Sequence, residues 1–382
     1  MYSLDSYGAM VADRIRMDAY VQALRMAVKP GSVVVDIGTG PGILAVLACQ
    51  MGARRVFAIE SSPIIQLARE IAVANGYADK IEFFEDISTQ VTLPIRADVI
   101  VSDLHGVLPL FERHIPSIAD ARRRFLSPGG TLIPHQEKIW VAVVESPERY
   151  ADIVDPWERN ELGTDLRPAT RIAVNTFRRM RFTRGQLLTK PQLWATLDYQ
   201  SVENSDIQAE VDCQIERDGT GHGIAVWFDA KFAEGVGFSN APGEPETIYG
   251  SVFFPWPNPV PLAAGQTVRV DLKAKLLDKD YFWRWSTRIA ALESPENIIA
   301  HFDQSQLQGT VMSLAELHRA ASDFVPVVSE EGRIQKRTLD LMDGKASLED
   351  IAKRLVAEFP QRFSHWHRAL SYAGSISRDY CR

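Results

Sequence analysis

The first third of the chain alternates short apolar runs with segments in which apolar residues recur at helical intervals. A helical pattern covers residues 1 to about 30 and ends at Lys29-Pro30-Gly31, a sequence that breaks helices. Continuous apolar runs at 32–37 and 56–60 then alternate with further helical patterns. Apolar strands separated by helices indicate a mostly parallel sheet covered on both faces. We therefore expect an α/β domain over residues 31–136.

From about residue 137 the pattern changes to many short runs of alternating apolar and polar residues, with turn residues between them. Closely spaced alternating strands are typical of an antiparallel sandwich or barrel. Helical patterns return from about residue 313, and Ser347 with Asp350 resembles a capping box that starts a helix. The expected domains are N-terminal helices at 1–30, the α/β domain at 31–136, the β domain at 137–305 and a helical C-terminal appendage at 313–382.

Composition narrows the class of protein. The 382 residues are 46% hydrophobic and 24% charged, as in an ordinary folded chain, and Asp and Glu outnumber Lys and Arg by 49 to 42. This balance disfavours nucleic acid as the main partner, because phosphate binding needs excess cations. The three cysteines fit neither a disulfide framework nor a zinc site, so no metal is expected. Since neither a long apolar run nor a signal-like start is present, we predict a cytoplasmic protein without a membrane partner.

A glycine-rich turn follows the first apolar run. Gly38, Gly40 and Gly42 follow one another at alternate positions, and Asp36 lies two residues before the first of them. Glycines allow a ligand to approach the backbone, but the dinucleotide pattern G-x-G-x-x-G is not kept. Pro41 lacks an N–H that would help to bind an anion. The turn therefore favours a cofactor of nucleotide type that carries a cation, and a purely structural tight turn is the alternative.

Glu60 ends the second apolar run, 56–60. A carboxylate at the end of this strand can accept hydrogen bonds from both hydroxyls of a ribose. The alternative is a solvated charge at a strand end. Together with the glycine turn, Glu60 predicts a ribose-bearing cofactor.

These residues resemble the S-adenosylmethionine site of class I methyltransferases, in the runs D-I-G-T-G-P-G-I-L at 36–44 and A-x-x-V-x-A-I-E at 53–60. The N-terminal segment is similar to the pattern M-L-x-D-x-x-R-x-x-x-Y of the protein arginine methyltransferases, with Met10, Asp13, Arg16 and Tyr20 at the same intervals. The resemblance implies that Arg16 holds the cofactor's carboxylate and that Met10 packs at the reacting methyl group.

The double-glutamate loop of that family, S-E-W-M-G-Y-x-L-x-x-E, corresponds to S-D-L-H-G-V-L-P-L-F-E at 102–112. The spacing of the two acids is kept, but the first is Asp103 and the second is Glu112. Further runs at 126–134, 222–229 and 238–242 extend the resemblance over roughly residues 2 to 300.

Two departures from the family pattern affect the expected site. Thr247-Ile248-Tyr249 stands where the family has Thr-His-Trp, so the imidazole is lost. Thr89 falls on the family's acid at the adenine, and Asp86 is near enough to serve instead. We expect an altered acceptor pocket.

The resemblance implies a Rossmann-like class I methyltransferase domain, an antiparallel β-barrel domain for the acceptor and for dimerisation, and a small helical appendage. It also implies S-adenosylmethionine as cofactor, S-adenosylhomocysteine as product, and a homodimer formed through an arm at 155–190. The candidate catalytic residues are Asp103 and Glu112. The candidate cofactor-binding residues are Tyr7, Met10, Arg16, Asp36, Gly38, Gly40, Gly42, Ile43, Leu44, Glu60, Asp86 and Thr89.

Two carboxylates can hold a guanidinium through bidentate hydrogen bonds and direct one of its nitrogens in line with a methyl donor. We therefore expect an N-methyltransferase that acts on arginine in a protein or peptide. Because Asp103 is shorter than glutamate, a small-molecule amine or another peptide is the first alternative acceptor. The second is a regulatory protein that binds the cofactor without catalysis, in which Asp103 caps a loop and Glu112 starts a helix. A dehydrogenase is a remote third, opposed by the glycine spacing.

Overall fold

The computed structural model describes residues 3–294 and 296–381, so positions 1, 2, 295 and 382 of the expected domains lie outside the described residues. The chain divides into two compact units, Met1–Val311 and Met312–Arg382. The helices are α1 (Leu4–Ala12), α2 (Arg14–Ala27), α3 (Ile43–Gln50), α4 (Ile65–Ala74), α5 (His114–Arg124), α6 (Pro147–Glu158), α7 (Pro168–Val174), α8 (Leu314–Arg319), α9 (Glu330–Asp340), α10 (Leu348–Glu358) and α11 (Trp366–Tyr380). The strands are β1 (Val33–Ile37), β2 (Arg55–Ile59), β3 (Ile81–Phe84), β4 (Ala97–Ser102), β5 (Leu126–Ile133), β6 (Gln136–Val144), β7 (Arg178–Met180), β8 (Gln192–Asp198), β9 (Ile207–Gln214), β10 (Gly219–Ala233), β11 (Val236–Ser239), β12 (Ser251–Leu262), β13 (Thr267–Leu277), β14 (Asp280–Ala290) and β15 (Ile298–Ser305).

The N-terminal segment folds as two helices rather than the single helical run that its pattern predicts. Asp13 interrupts the run in an extended conformation and caps α2, because its carboxylate accepts the N–H of Arg16. The Tyr20 hydroxyl donates to the Ser102 carbonyl at 3.0 Å, which fixes α2 to the end of β4. The cap at Asp13 thus ends one helix and begins the next, although the apolar periodicity continues across it.

Strands β1 to β5 form a parallel sheet in the order β3-β2-β1-β4-β5. All five residues of β1 are buried, which explains its continuous apolar sequence. The glycine turn follows β1, Glu60 follows β2 and Asp103 follows β4, so all three lie at the carboxyl edge of the sheet. Ligands of doubly wound folds bind at this edge.

The following strands are antiparallel and form two sheets. One has the order β7-β12-β10-β6-β8, with β11 beside β10, and the other has the order β15-β14-β13-β9. Aromatic side chains pack between them, with Phe254 of β12 and Trp285 of β14 4.9 Å apart. The prediction of a Rossmann-like α/β domain followed by an antiparallel β domain is confirmed. In the described part of the chain the ladders remain two sheets rather than one closed barrel.

Three stretches of this first unit refine the expected boundaries. β15 pairs with β14, although the pattern did not predict a strand there. The segment 155–190, expected to be a dimerisation arm, includes the end of α6, all of α7 and the edge strand β7. Helix α6 continues through Pro156, near its end.

The second unit contains α8 to α11, and its larger helices enclose a separate small core that includes Ile334, Ile351, Leu355 and Phe363. The predicted capping box is confirmed, because the Ser347 and Asp350 side chains bond reciprocally to each other's backbone N–H. Across the described residues of both units, no helix has the length and apolar character needed to cross a bilayer.

Candidate active site

A cleft of about 990 Å³ opens at the carboxyl edge of the parallel sheet. Its walls come from α1, the start of α2, the glycine turn, the ends of β2 and β4, and the loop that leads into α5. Lys279, from the turn between β13 and β14, also lines it. Segments far apart in sequence therefore share one cavity of a size typical for small-molecule sites.

All three glycines of the turn have positive φ, at +70° for Gly38, +52° for Gly40 and +82° for Gly42. A Cβ atom at Gly38 would lie 2.4 Å from the Leu104 side chain, and one at Gly40 would lie 2.9 Å from the Tyr7 ring. Side chains at these positions would collide with Leu104 and Tyr7. Glycine is therefore required both by the backbone conformation and by the close approach of these two side chains to the turn.

Two carboxylates surround the turn. Glu60 accepts the N–H of Gly40 at 3.1 Å and the N–H of Ser62 at 2.8 Å, so its side chain is fixed at the rim of the cleft. Asp36 is fully buried below the turn and accepts the Thr39 hydroxyl at 2.5 Å. Burial raises the pKa of Asp36 to about 7, and the nearby Glu60 charge adds to this shift against the hydrogen bonds that oppose it.

Helices α1 and α2 form the wall above the turn. Tyr7 and Met10 line the cleft, and burial together with the Glu60 carboxylate raises the pKa of the Tyr7 phenol. Arg16 is almost completely buried, and its Nη1 donates to the Met10 carbonyl at 3.0 Å. The α1 backbone and the first turn of α2 thus hold a cation at the cleft.

Asp103 accepts several contacts at the other end of the cleft. Arg16 Nη2 forms an ion pair with its Oδ2, and the Tyr249 hydroxyl lies 3.1 Å from its Oδ1. Tyr249 also accepts Arg16 Nε–H at 3.1 Å. The arginine predicted for the cofactor and the carboxylate predicted for the acceptor are therefore in direct contact here, bridged by a tyrosine.

Glu112, the second predicted catalytic acid, has φ of +42°, a left-handed conformation that is uncommon for a non-glycine residue. Its loop is tight, because a Cβ atom at Gly106 would lie 2.5 Å from the Phe111 ring. Asp103 and Glu112 both line the cleft. The loop that joins them therefore brings two carboxylates to one cavity, at the cost of backbone strain at one of them.

A group of buried polar residues behind Asp103 was not predicted from the sequence. His105 Nε2 lies 2.8 Å from Glu137 Oε1, and the Tyr199 hydroxyl donates to the other Glu137 oxygen. The His114 ring stacks on Tyr199, with the two centroids 5.2 Å apart. The sequence did contain one indication of this group, because Glu137 is an acid at an inward position of β6. Its partners could not be identified, since His105 and Tyr199 come from other segments.

The predicted residues divide by position in the structure. Asp36 is buried behind the turn, and Gly42 faces helix α4, where a Cβ atom would lie 2.9 Å from the Ala68 Cβ. The other predicted residues line the cleft, namely Tyr7, Met10, Arg16, Gly38, Gly40, Ile43, Leu44, Glu60, Asp86, Thr89, Asp103 and Glu112.

The Thr247-Ile248-Tyr249 segment joins the β domain to the N-terminal helices. The backbone N–H of Ile248 donates to the Asp13 carboxylate at 2.8 Å, while Tyr249 provides the hydroxyl at Asp103. Among the described residues no cluster of three or more His, Cys, Asp or Glu side chains has an arrangement that suits a metal ion.

Two family models match consecutive parts of the chain. The model described as ribosomal protein L11 methyltransferase (PrmA) matches residues 18–134. The model described as arginine methyltransferase oligomerization subdomain matches residues 135–287. The boundary between the two matches falls between β5 and β6, where the parallel sheet gives way to the antiparallel one.

Curated relatives carry consistent names. A probable protein arginine N-methyltransferase 6 of Arabidopsis thaliana is 32% identical over 251 residues, which is 63% of this chain and 57% of that relative. Protein arginine N-methyltransferase 1 of Dictyostelium discoideum is 25% identical over 293 residues, covering 73% of this chain and 86% of the relative. The chain thus aligns with less than two thirds of the length of the Arabidopsis relative.

Solved structures share the fold. The Trypanosoma brucei PRMT1 enzyme-prozyme heterotetrameric complex with AdoHcy has a TM-score of 0.71 at 23% identity, covering 78% of this chain and 96% of that one. Arabidopsis thaliana protein arginine methyltransferase 10 has a TM-score of 0.69 at 23% identity, with 79% and 97% covered.

The fold is an α/β domain with a cleft at the carboxyl edge of its sheet, joined to an antiparallel β domain, and each domain matches one of the two family models. The chain is similar to protein arginine methyltransferases in sequence and in fold, which confirms the resemblance predicted from its motifs.

Proposed function

We propose that the protein is an S-adenosylmethionine-dependent N-methyltransferase whose acceptor is an arginine side chain of a protein or peptide. One observation carries the proposal: the cleft that contains the glycine turn and Glu60 also contains Asp103 and Glu112. A donor site and a two-carboxylate acceptor site are therefore parts of one cavity. The names of the relatives agree with this assignment.

The residues at the turn fit the proposed cofactor. The cleft beside the glycine turn, about 990 Å³ in volume, has room for an adenosine unit, and Glu60 has the chemistry to accept hydrogen bonds from ribose hydroxyls. Arg16 has the charge to hold the donor's carboxylate, while Asp86 and Thr89 are available to the base. When bound, the cofactor supplies an electrophilic methyl group on a sulfonium.

The acceptor end works by orientation and charge. Asp103 and Glu112 bind the guanidinium through charge-assisted hydrogen bonds and hold one nitrogen in line for attack. A bound cofactor would supply its methyl group to that nitrogen and would leave as a neutral thioether, and the carboxylates would stabilise the cation that remains. The nitrogen's proton then leaves to a carboxylate or to water, so no covalent enzyme intermediate is needed.

Asp103→Asn and Glu112→Gln test the proposal, because each removes one charge with little change in shape. With tritium-labelled cofactor and a mixture of arginine-bearing peptides, we expect each variant to lose roughly 100-fold or more in methylation rate. Amino-acid analysis of the labelled product should yield methylarginine. Asp165→Asn, at an exposed ion pair with Arg167, is the matched control and should retain activity.

The same experiment separates the alternative functions. Label on a small metabolite alone would favour the alternative acceptor, which the short Asp103 side chain motivates. Binding of S-adenosylhomocysteine without label transfer to any acceptor would favour a regulatory protein. A thermal-shift measurement with S-adenosylhomocysteine gives the binding result independently of activity, because a ligand of the native state raises its melting temperature.

We also propose that the protein forms a homodimer through the segment 155–190. The match of residues 135–287 to an oligomerization subdomain supports this, as do the exposed side chains of Trp157 and Leu162. Light scattering should give the mass of a dimer for the native protein and that of a monomer for Leu162→Glu. Ile299→Glu, at an exposed position of β15, is the control that should keep the dimer. A monomeric native protein would contradict the proposal.

A further inference from the structure

Glu137 is a completely buried acid on β6, outside the lining of the cleft. A buried carboxylate is costly unless hydrogen bonds and an opposite charge compensate it. Tyr199 donates to one of its oxygens, and His105 Nε2 lies 2.8 Å from the other. Glu137 therefore connects to the catalytic loop through a single imidazole.

Glu137 is an ionised carboxylate in this environment. Burial pushes its pKa up, but the charge and hydrogen bond of His105, with help from His114 and Tyr199, lower the pKa by more. Burial lowers the pKa of His114 to about 4, so that ring is neutral at pH 7. Tyr199 is also neutral, because burial and Glu137 raise its pKa. Of the three residues that contact or adjoin Glu137 here, His105 is the one able to provide a positive charge.

The other nitrogen of the same ring faces the acceptor site. His105 Nδ1 lies 3.7 Å from Asp103 Oδ1, and the ring is enclosed by Phe228, Tyr249 and His114 at centroid distances of 5.6, 5.8 and 5.3 Å. Asp103 Oδ2 pairs with Arg16. Charges therefore alternate along one line, from Arg16 through Asp103 and His105 to Glu137.

We propose that His105, held in place by Glu137, is a positioning residue that keeps Asp103 ionised and oriented for the acceptor. The inference rests on the proposed function, because Arg16 is also the residue assigned to the donor's carboxylate. When Arg16 binds that carboxylate, Asp103 shares its first cation. His105 then supplies a second cation at Oδ1, so the catalytic acid keeps its charge in both states.

Glu137→Gln tests the proposal without touching substrate or cofactor. Without the Glu137 charge the His105 ring loses the partner that holds it, so kcat should fall roughly tenfold, with the donor KM within about twofold. His105→Gln should lower kcat by a similar factor, again with little change in the donor KM. Glu216→Gln, at an exposed pair with Lys190, is the matched control and should keep the native kcat.

Tyr199→Phe provides a milder test. It keeps the ring that stacks on His114 but removes the hydroxyl that bonds to Glu137. Since Glu137 keeps its charge and its contact with His105, kcat should fall by only about threefold. A purely structural role would change kcat and the donor KM together, so a matching rise in the donor KM, or a native kcat in His105→Gln, overturns the proposal even if Glu137→Gln folds poorly.

Nuclear magnetic resonance of histidine labelled with nitrogen-15, recorded at a single pH, separates this proposal from the proposed function. The His105 ring signals, assigned by comparison with His105→Gln, should change position in Glu137→Gln, because the charged partner at Nε2 is lost. This readout needs no methylation. A His105 signal that is unaffected by Glu137→Gln overturns the inference, whereas absence of label transfer with the expected signal change overturns the proposed function alone.

Discussion

The proposed donor end of the cleft, at the glycine turn and Glu60, is held by contacts of shorter range than the proposed acceptor end, at Asp103 and Glu112. At the donor end, the Thr39 hydroxyl bonds to Asp36 three residues away, and the Gly40 N–H bonds to Glu60 twenty residues away. At the acceptor end, Asp103 bonds to Arg16 across 87 positions and to Tyr249 across 146. One end is built within a single β-α-β unit, and the other forms only when the N-terminal helices, the parallel sheet and the β domain have all folded.

This difference implies different responses to mutation. A change at the donor end alters a local turn, so its effect should depend on backbone conformation. A change at the acceptor end removes a contact between segments that are far apart in sequence, so its effect should appear in stability and in catalysis together. The following predictions test this distinction, beginning with the largest expected effect.

His114→Gln removes a buried neutral imidazole from the acceptor end. Because burial lowers the His114 pKa to about 4, the unfolded state binds its proton first as the pH falls from the ordinary value of 6.5. The stability that the neutral ring confers is complete above pH 6.5 and is lost as pH falls through 4. The native protein should therefore lose on the order of 3 kcal/mol over this window that the variant does not lose.

Urea denaturation at intervals between pH 4 and pH 7 measures this difference. His301→Gln, at a half-exposed position on β15, is the control, and its free energy of unfolding should depend on pH as that of the native protein does. Comparing two proteins under identical conditions isolates the residue from other titrating groups, including Asp36. If the free energy of unfolding depended on pH equally in the native protein and in His114→Gln, the stability attributed to the neutral His114 ring would be contradicted.

Gly42→Ala tests the donor end. The residue has φ of +82°, and a Cβ atom there would lie 2.9 Å from the Ala68 Cβ, so both strain and crowding oppose the substitution. We expect a loss of about 2 kcal/mol in the free energy of unfolding. Gly76→Ala is the matched control: its φ is +74° but its added Cβ meets nothing within 4 Å.

The difference between these two glycine variants reports the contact between the turn and helix α4. Gly76→Ala should cost about 1 kcal/mol through strain alone. If both substitutions lowered stability equally, close packing behind the turn would have no role, and the donor end would be less constrained than the structure indicates.

Tyr249→Phe tests the bridge between the two ends. Its buried hydroxyl contacts both Arg16 Nε and Asp103 Oδ1, so its loss should cost about 1.5 kcal/mol, or roughly tenfold in kcat/KM. We expect the donor dissociation constant to change as well, because Arg16 belongs to both ends. Calorimetry with S-adenosylhomocysteine measures that constant directly.

Tyr150→Phe is the control for this hydroxyl, since Tyr150 donates to the Pro257 carbonyl within the β domain. It should leave both parameters within about twofold of the native values. If Tyr249→Phe changed kcat but not the donor dissociation constant, the two ends would be independent. That result would contradict the view that they share Arg16.

The range of the contacts also explains what the sequence could predict. The β-α-β unit, the glycine turn and Glu60 were predictable, because their contacts lie within a short stretch with a recognisable pattern. The break at Asp13 was not predicted, since a cap replaces a helical residue without disturbing the apolar periodicity.

Glu137 shows most clearly what could not be predicted from the sequence. His105 was visible in the acidic loop, but its partner Glu137 lies 32 positions later, on a strand whose other inward residues are apolar. Nothing in the local pattern of either residue indicates the other. The antiparallel sheet must first bring Glu137 of β6 to the loop that follows β4 before the histidine in that loop can contact it.

The bond from the Ile248 N–H to the Asp13 carboxylate has one more consequence. It fastens the cover of the cleft to the β domain through a peptide group, which gains or loses no proton under any condition in which the protein is folded. The first turn of α2 is therefore tied to the β domain by a donor that the backbone itself provides, so the contact survives a change of side chain at position 248.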